Sequence, residues 1–328
     1  MDWLLDAETT AHKLALMVLA IALFALVMGA ILLAVDKPRV PRWVVVLGFL
    51  GPPLLLLLVG LVYPALRTLL SSFQGRDGSG FVGADNYAAI FSNPELLLVL
   101  RNTVLWVVLV PLVATTFGLV YAYLVDRTRF ENLAKALVFL PMAISGVAAG
   151  IIWKFVYEYR PDQAGINQIG LLNQLLVWIG LEPRQLLLNQ PQNTFFIIAV
   201  MIWINAGFAM TVLSASIKAI PDDITEAARL DGVSGIEMFR HVTVPSIRPA
   251  LVVVLTTVAI STLKVFDIVY TMTGGQFGTS VIANEFYSQT FRQGNQGLGA
   301  ALAVLLFVLV IPIIAYNVRQ LRLSEEIR

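Results

Sequence analysis

Seven apolar runs, each long enough to cross a lipid bilayer, constrain this 328-residue chain more than any other feature. A helix needs about 20 apolar residues to span the hydrocarbon core of a membrane. The runs do not alternate polar and apolar residues, as the strands of a membrane barrel would. We therefore predict an all-α fold, a polytopic transmembrane helical bundle, with spans at Leu14–Val35, Val44–Leu66, Leu98–Val125, Leu133–Val156, Thr194–Ala219, Pro249–Val269 and Leu298–Val318.

The composition supports the lipid bilayer as the solvent of this chain. Hydrophobic residues make up 58% of it and charged residues only 13%, with a mean hydropathy of +0.80. Soluble domains average roughly 45–50% apolar and about 25% charged residues. The net charge of +1 argues against nucleic-acid binding. The chain has no cysteine, and His12 and His241 lie far apart, so we expect no disulfide, thiolate chemistry or metal site.

The distribution of basic residues predicts the orientation of the spans. Of the 22 Lys and Arg residues, 13 lie in the segments after the first, third and fifth spans and in the C-terminal tail. Basic residues are enriched on the cytoplasmic side of membrane proteins. We therefore expect the N-terminus outside and the C-terminus in the cytoplasm. The acidic stretch Met1–Lys13 differs from the basic start of a cleavable signal, so we expect the first span to be retained.

The segment Ile220–Ile247, between the fifth and sixth spans, is too charged to lie in lipid, because each charge at mid-membrane costs roughly 2.5–3.5 kcal/mol. Its residues predict a helix–turn–helix. Pro221 and the acids after it suit a helix start, and Gly232 can take the left-handed conformation that ends a helix. Ser234 can cap a second helix, with Glu237 as its capping-box partner.

This segment resembles the EAA coupling loop of binding-protein-dependent ABC importer permeases. The pattern is a glutamate, two alanines, a glycine six residues after the glutamate, and a hydrophobic residue before a proline. Val233 stands where alanine is usual, and Val242 where isoleucine is common. The matching residues are Glu226, Ala227, Ala228, Asp231, Gly232, Phe239, Val242 and Pro245.

The resemblance extends over roughly Val44–Arg328 and implies the six-helix core of a type I ABC importer of the maltose type. Residues 1–43 then form an additional N-terminal helix and a cytoplasmic linker, as in a MalF-like subunit, and residues 44–328 form the transport domain, with its coupling loop at 220–247. Within it, Gly274–Ser280 and Ala283–Glu285 look most similar to α-glucoside permeases. The chain would lie in the inner (cytoplasmic) membrane of a bacterial cell.

The resemblance also implies partners and roles. Glu226 would pair with a basic group on an ABC ATPase dimer, Ala227 and Ala228 would pack in its cleft, and Gly232 would set the bend. A second permease subunit would complete a heterodimer, and an external solute-binding protein would deliver the sugar. ATP and Mg would bind to the ATPase and not to this chain, which has no G-x-x-x-x-G-K-[ST] phosphate-binding loop. The chain is therefore not expected to be an enzyme.

Polar residues inside spans are costly and are candidates for a substrate pathway. A sugar site needs hydrogen-bonding side chains beside an aromatic ring, and in this family the spans that flank the coupling loop line the cavity. Hydrogen bonding between helices explains each polar residue equally well. The candidates in the fifth and sixth spans are Asn205, Phe208, Ser261, Thr262 and Val265.

Two short patterns predict helix contacts. Lys264 and Asp267, three residues apart, would form an ion pair within the sixth span. Gly146 and Gly150, four residues apart in the fourth span, would allow another helix to approach closely.

Two other functions are also compatible with a helical membrane protein of this length. An ion-coupled secondary transporter would need paired acids or a charged half-helix at mid-membrane, and neither is evident. An importer of glycerol-phosphate or another polyol would favour a basic cavity, and Lys264 is the only cation in mid-span. We therefore favour an ATP-driven importer of a di- or oligosaccharide or an α-glucoside.

Overall fold

The computed structural model describes residues 10–35, 41–126, 128–161 and 169–326. Apart from one β-bridge between Gln74 and Phe81, the regular structure in these ranges is helical. The chain divides into two compact units, residues 1–67 and 68–328. The assignment of residues 1–43 to an added helix and of 44–328 to a transport domain stays a prediction, because compactness does not identify the helices that carry out transport.

The first unit contains α1 (Thr10–Val35) and most of α2 (Arg42–Ser71). Both helices are long and apolar enough to cross a membrane, as predicted. Their most apolar stretches contain no buried side chain within this chain. Apolar side chains in this number require lipid or another protein around them.

The second unit is also helical. Its spans are interrupted by short helices, π-helical turns and bends. In chain order the helices are α3 (Asp85–Ser92), α4 (Pro94–Val125), α5 (Glu131–Ala143), α6 (Gly146–Val156), α7 (Leu171–Trp178), α8 (Gln192–Lys218), α9 (Asp222–Leu230), α10 (Gly235–Ser246, with a π-helical turn at Met238–Thr243), α11 (Arg248–Leu263), α12 (Asp267–Thr273), α13 (Ile282–Tyr287, followed by a π-helical turn at Ser288–Arg292) and α14 (Gln296–Glu326).

The core of the second unit forms where α4, α8 and α11 pack together. α4 and α8 approach very closely at Gly118, where a β-carbon would lie 2.6 Å from the backbone nitrogen of Met210. Only glycine fits at such a contact. Val110 on α4, Ile197 on α8 and Val258 on α11 are buried completely or almost completely, so these three helices form a tightly packed centre.

The fourth predicted span, Leu133–Val156, is not one helix. α5 and α6 meet at an angle of 104° across Ile144 and Ser145. Pro141 has no amide hydrogen for the helix ladder, and the Ser145 hydroxyl accepts a hydrogen bond of 3.2 Å from the Ala148 amide, which starts a new helix. The two helices form a single span only as a broken pair.

The sixth predicted span, Pro249–Val269, is also interrupted. α11 ends at Leu263, and α12 begins at Asp267. The hydroxyls of Ser261 and Thr262 both donate to the Val258 carbonyl, and such side-chain bonds weaken the backbone ladder. The described residues contain no ion pair between Lys264 and Asp267, because the helix that would join them has ended. That predicted pair is wrong.

The glycines of α6 make the close contact that their spacing predicted. A β-carbon at Gly146 would lie 3.2 Å from the β-carbon of Asp267, and one at Gly150 would lie 3.0 Å from that of Thr271. α12 therefore rests directly on α6. Five helices are long and apolar enough to cross a membrane, and the two bent pairs, α5–α6 and α10–α11, raise the number to seven in the described part of the chain.

Candidate coupling elbow

Residues 220–247 form a bent helical pair, the elbow, directly after the fifth span. Pro221 precedes α9, as expected. Asp222 and Asp223 lie in the first turn and Arg229 in the last, so the charges oppose the helix dipole at both ends. This arrangement stabilises a short helix in water, where an apolar stripe alone would not.

α9 ends in a Schellman motif, as Gly232 predicted. The amide of Val233 donates to the Ala228 carbonyl, and that of Gly232 to the Arg229 carbonyl, each over 3.0 Å. Gly232 has a φ of +82°, in the left-handed region that side chains with a β-carbon rarely adopt. No other atom lies within 4 Å of where a β-carbon of Gly232 would be. The bend therefore depends on backbone conformation and not on space within this chain.

The second helix of the elbow, α10, starts differently from the prediction. Ser234 stands at the cap position, but its side chain makes no capping hydrogen bond. The Glu237 amide instead donates to the Ser234 carbonyl over 3.1 Å. The predicted capping box is therefore wrong, although the helix begins where it was expected.

α10 is fastened to the end of α4 by Tyr123. The Tyr123 hydroxyl donates to the Gly235 carbonyl over 3.2 Å, and its ring packs on Phe239 with 4.7 Å between centroids. Phe239 also packs against the main core cluster, to which the buried Ile247 belongs. The elbow is consequently attached to the bundle at both of its ends, through the chain and through these aromatic rings.

A cluster of four charged groups lies at the same end of the bundle. Lys135 Nζ is 2.5 Å from Glu131 Oε1 and 3.9 Å from Asp126 Oδ1. Lys218, the last residue of α8, pairs with the same two acids. Lys135 also donates to the Ser214 hydroxyl. The cluster joins the ends of α4 and α8 to the start of α5.

The five residues predicted to contact an ATPase lie on the outer surface of the elbow. Glu226, Ala227, Asp231 and Gly232 are exposed, and Ala228 is half-buried. Two large apolar side chains, which the sequence analysis did not identify, lie near them: Leu230 is 89% exposed and Ile236 is 82% exposed. An apolar residue directly before Asp-Gly is the signal that could have identified Leu230.

The elbow lies inside the part of the chain that matches a known family. The family described as binding-protein-dependent transport system inner membrane component matches residues 114–322. This chain belongs to that family. It is therefore the permease subunit of a transport system, as the motif residues predicted, and not an enzyme.

Two curated relatives of this permease are similar over most of its length. The osmoprotective compounds uptake permease protein GgtC of Synechocystis is 46% identical, over 85% of this chain and 100% of its own. The alpha-glucoside transport system permease protein AglF of Rhizobium meliloti is 45% identical, over 83% of this chain and 80% of its own.

The fold agrees with a solved transporter. A subunit from the crystal structure of a bacterial ABC transporter involved in alginate import superposes with a TM-score of 0.73 at 21% identity. The match covers 86% of this chain and 96% of that chain. The permease therefore has the fold of an ABC importer transmembrane subunit.

Three of the predicted pathway residues are half-buried and two are buried. Asn205 and Phe208 on α8 and Ser261 at the end of α11 are half-buried, and the Asn205 side chain donates to the Met201 carbonyl of its own helix. Thr262 is 1% exposed, and Val265 belongs to the core cluster. These two are therefore enclosed by their own chain in this conformation.

No metal site emerges from the geometry. The described ranges contain no group of three or more His, Cys, Asp or Glu side chains that could hold a metal ion.

Proposed function

We propose that this permease is one transmembrane half of an ATP-driven importer for neutral α-glucosides. The observation that carries the substrate class is the near-50% identity to two permeases whose names specify alpha-glucosides and osmoprotective compounds, over more than four fifths of this chain. Fold alone does not determine a cargo, so the more distant alginate transporter contributes only the architecture.

In this proposal the elbow couples the permease to a separate ATPase dimer, which binds ATP and Mg. Glu226 pairs with a basic group of the ATPase, and Ala227 and Ala228 pack in its cleft. Leu230 and Ile236 are large and exposed, and they supply the apolar contact area that a stable interface needs. The Schellman end at Gly232 keeps the two helices at a fixed angle, so a push on α9 moves α10 with it.

The movement of the elbow is then transmitted to the spans along two routes. The first is the Tyr123–Phe239 contact, which leads from α10 to α4. The second is the charge cluster around Lys135, which joins α4, α5 and α8. Because α8 leads directly into the elbow, three of the spans respond to one movement.

The pathway for sugar lies between this subunit and a second, similar permease subunit. Asn205, Phe208 and Ser261 remain our candidates for contact with the sugar, because an amide, a ring and a hydroxyl match its hydroxyl groups and its C–H faces. Thr262 and Val265 would have to become accessible in another conformation of the transport cycle.

The elbow requires a cytoplasmic location, because the ATP that drives the partner is there. The N-terminus is then outside, the C-terminus is in the cytoplasm, and an external solute-binding protein delivers the sugar from the opposite side of the inner membrane. Since the chain contains no cysteine, single cysteines introduced at Ile236 and at Phe81 can be labelled without background. We expect only the cysteine at Phe81 to react with an impermeant maleimide in whole cells.

The full system, reconstituted in proteoliposomes, tests the function. The permease, its partner subunit, the ATPase and the binding protein are combined, and uptake of radiolabelled maltose, trehalose and sucrose is measured with and without internal ATP. Ionophores collapse all ion gradients. ATP-dependent uptake under these conditions supports the proposal, whereas uptake that needs an ion gradient would establish a secondary transporter. Inhibition of sugar uptake by glycerol 3-phosphate would indicate that the transported substrate is a polyol phosphate.

A further inference from the structure

One loop at the far end of the bundle from the elbow is held by buried amide side chains. This clamped loop comprises residues 274–281. The Asn102 amide of α4 donates to the carbonyls of Gly278 and Ser280 over 2.7 and 3.0 Å. The Asn193 amide of α8 donates to the Phe277 carbonyl over 2.8 Å. Both asparagines are buried. α4 and α8 therefore hold the loop in place through these two side chains.

The clamps hold Phe277 in a strained conformation. Its φ is +56°, a region in which a bulky residue is an outlier. Its ring is nevertheless 45% exposed, so burial of the ring does not compensate for the strain. Strain of this kind, roughly 1–3 kcal/mol, persists where the surrounding structure imposes it and is concentrated at functional sites.

The clamped loop forms one wall of a cavity of about 580 Å³. The other walls come from the end of α6, from residues 185–188 before α8, and from α12. Small-molecule sites usually occupy roughly 300–1,000 Å³. The cavity is therefore large enough for a disaccharide-sized ligand.

A buried tyrosine stiffens the side of the cavity formed by α6. Tyr157 donates its hydroxyl to the Phe196 carbonyl over 3.2 Å, and its ring packs against Trp153 and Phe196. Burial raises the pKa of Tyr157 to about 12, so the hydroxyl keeps its proton. The ligand would thus meet a preformed wall.

The lining of the cavity matches the chemistry of a neutral sugar. A sugar ring has apolar C–H faces and a rim of hydroxyl groups, and it is best bound by aromatic rings together with amides that both donate and accept. The cavity offers the rings of Tyr159, Tyr270 and Phe277 and the amides of Gln185 and Gln276.

The charges around the cavity favour a ligand without net charge. Among the residues that the structure describes, Lys154 and Glu158 are the charged ones in the lining of the cavity, and they have opposite signs. An ionised ligand would need an excess of the opposite charge to offset its desolvation. A neutral glucoside needs none.

The cavity and the elbow lie at opposite ends of α8, one span apart. Residues 185–188 precede the first residue of α8, and the elbow follows its last. A 27-residue helix is about 40 Å long. The cavity therefore opens near the membrane surface opposite the elbow, which is the external face in the proposed orientation.

We propose that this cavity is an outer subsite that holds the neutral glucoside before it enters the pathway between the spans. The proposal rests on the function proposed above and adds a site that is distinct from Asn205, Phe208 and Ser261. Tyr270 and Phe277 contact the C–H face of the sugar, and Gln276 bonds its hydroxyls.

The complete transporter in nanodiscs, without binding protein, tests the site by saturation-transfer NMR with maltose, trehalose and sucrose. The test variants are Tyr270→Ala and Gln276→Ala. Tyr270→Phe keeps the ring, and Phe291→Ala removes an exposed ring outside the cavity. We expect the apparent affinity for at least one sugar to fall about three- to tenfold in each test variant, the effect of losing one polar or ring contact. Tyr270→Phe and Phe291→Ala should bind nearly as the wild type does.

The outcomes separate the subsite from the function. ATP-driven uptake by the wild type, combined with unchanged sugar binding by Gln276→Ala and Tyr270→Ala, would overturn the subsite alone. Unchanged sugar signals with weakened association of the binding protein would also overturn it, because the cavity would then be a protein contact. A wild-type transporter that moves none of the three sugars with ATP would overturn the proposed function, and the subsite with it.

Discussion

The rings of Tyr123 and Phe239 pack at 4.7 Å between centroids and join the elbow to the end of α4. The same tyrosine donates a hydrogen bond to the Gly235 carbonyl. A side chain of one span thus holds a helix that lies more than 100 residues further along the chain. In the proposed ATP-driven importer, this contact would be a direct mechanical link between the elbow and the transmembrane core.

Loss of this link should uncouple hydrolysis from transport. Tyr123→Ala removes a ring pair worth about 0.5–1.5 kcal/mol and a hydrogen bond of similar worth. We expect the reconstituted complex to continue hydrolysing ATP while the amount of sugar moved per ATP falls severalfold. Tyr123→Phe keeps the ring and should retain most of the coupling. An unchanged ratio of sugar to ATP in Tyr123→Ala would disprove the link.

Two substitutions at Gly232 should distinguish the effect of a changed bend from the effect of a charge on the surface proposed to contact the ATPase. Gly232→Ala needs the left-handed conformation, at a cost of about 1–2 kcal/mol, but its β-carbon meets no atom of this chain. We expect partial uptake. Gly232→Asp places a charged side chain on the docking surface and should abolish uptake while leaving membrane insertion normal. Uptake assays and the amount of protein in the membrane fraction measure both effects, and wild-type uptake by Gly232→Asp would contradict the assignment.

The exposed apolar residues of the elbow should affect affinity for the ATPase and leave stability unchanged. Leu230→Ser and Ile236→Ser alter side chains that make little contact within this chain, so the free energy of unfolding should change by about 0.5 kcal/mol or less. Burial of a leucine in an interface is worth about 1.5–3 kcal/mol, and we expect ATPase binding to weaken at least about tenfold. Phe81→Ser, a similarly exposed position outside the elbow, is the control. Pull-down titration with purified ATPase gives the result, and equal affinities for all three variants would refute the docking surface.

The charge cluster should contribute to the stability of the bundle end. Lys135→Met leaves Asp126 and Glu131 with fewer partners in a partly buried site, at a cost of about 1–3 kcal/mol. The thermal midpoint in nanodiscs should fall by a few degrees. The double variant Lys135→Met/Glu131→Gln removes one acid as well and should recover part of the loss. A double variant less stable than Lys135→Met would show that charge balance is not the cause.

The clamp on the outer loop should be measurable by hydrogen exchange. Asn102→Leu removes the two hydrogen bonds that Asn102 makes to the loop and leaves one buried and one partly buried carbonyl without them, and a buried group left unpaired costs about 1–3 kcal/mol. Amides of residues 275–282 should exchange more than about tenfold faster, whereas those of α9 should not change. Slow exchange of these amides in Asn102→Leu would show that another contact holds the loop.

The elbow was predictable because its signals are local. Pro221, the acids after it and Gly232 each act within a few residues, through fixed dihedral angles or the helix dipole. The exposure of Leu230 and Ile236 was missed because it depends on how the finished elbow projects from the bundle. The capping box was predicted wrongly. Ser234 does stand at the cap position, but its side chain makes no capping hydrogen bond.

The bends in the spans were not predictable to the same degree. Pro141 weakens the helix ladder of the fourth span, but the 104° angle also depends on α6 lying against α12, which is more than 100 residues away in the chain. The ion pair between Lys264 and Asp267 assumed an unbroken helix. Hydropathy alone cannot locate that break, since an interrupted span is as apolar as a straight one.

The end of α9 closes through main-chain hydrogen bonds, and the only side-chain requirement is the lack of one at Gly232. The positions of α9 can consequently diverge without altering the geometry of the bend, as long as its first turn stays acidic and its last turn basic. In the proposed importer, grafting the α9 residues of one permease onto another should therefore exchange the preference for an ATPase and leave cargo selection untouched.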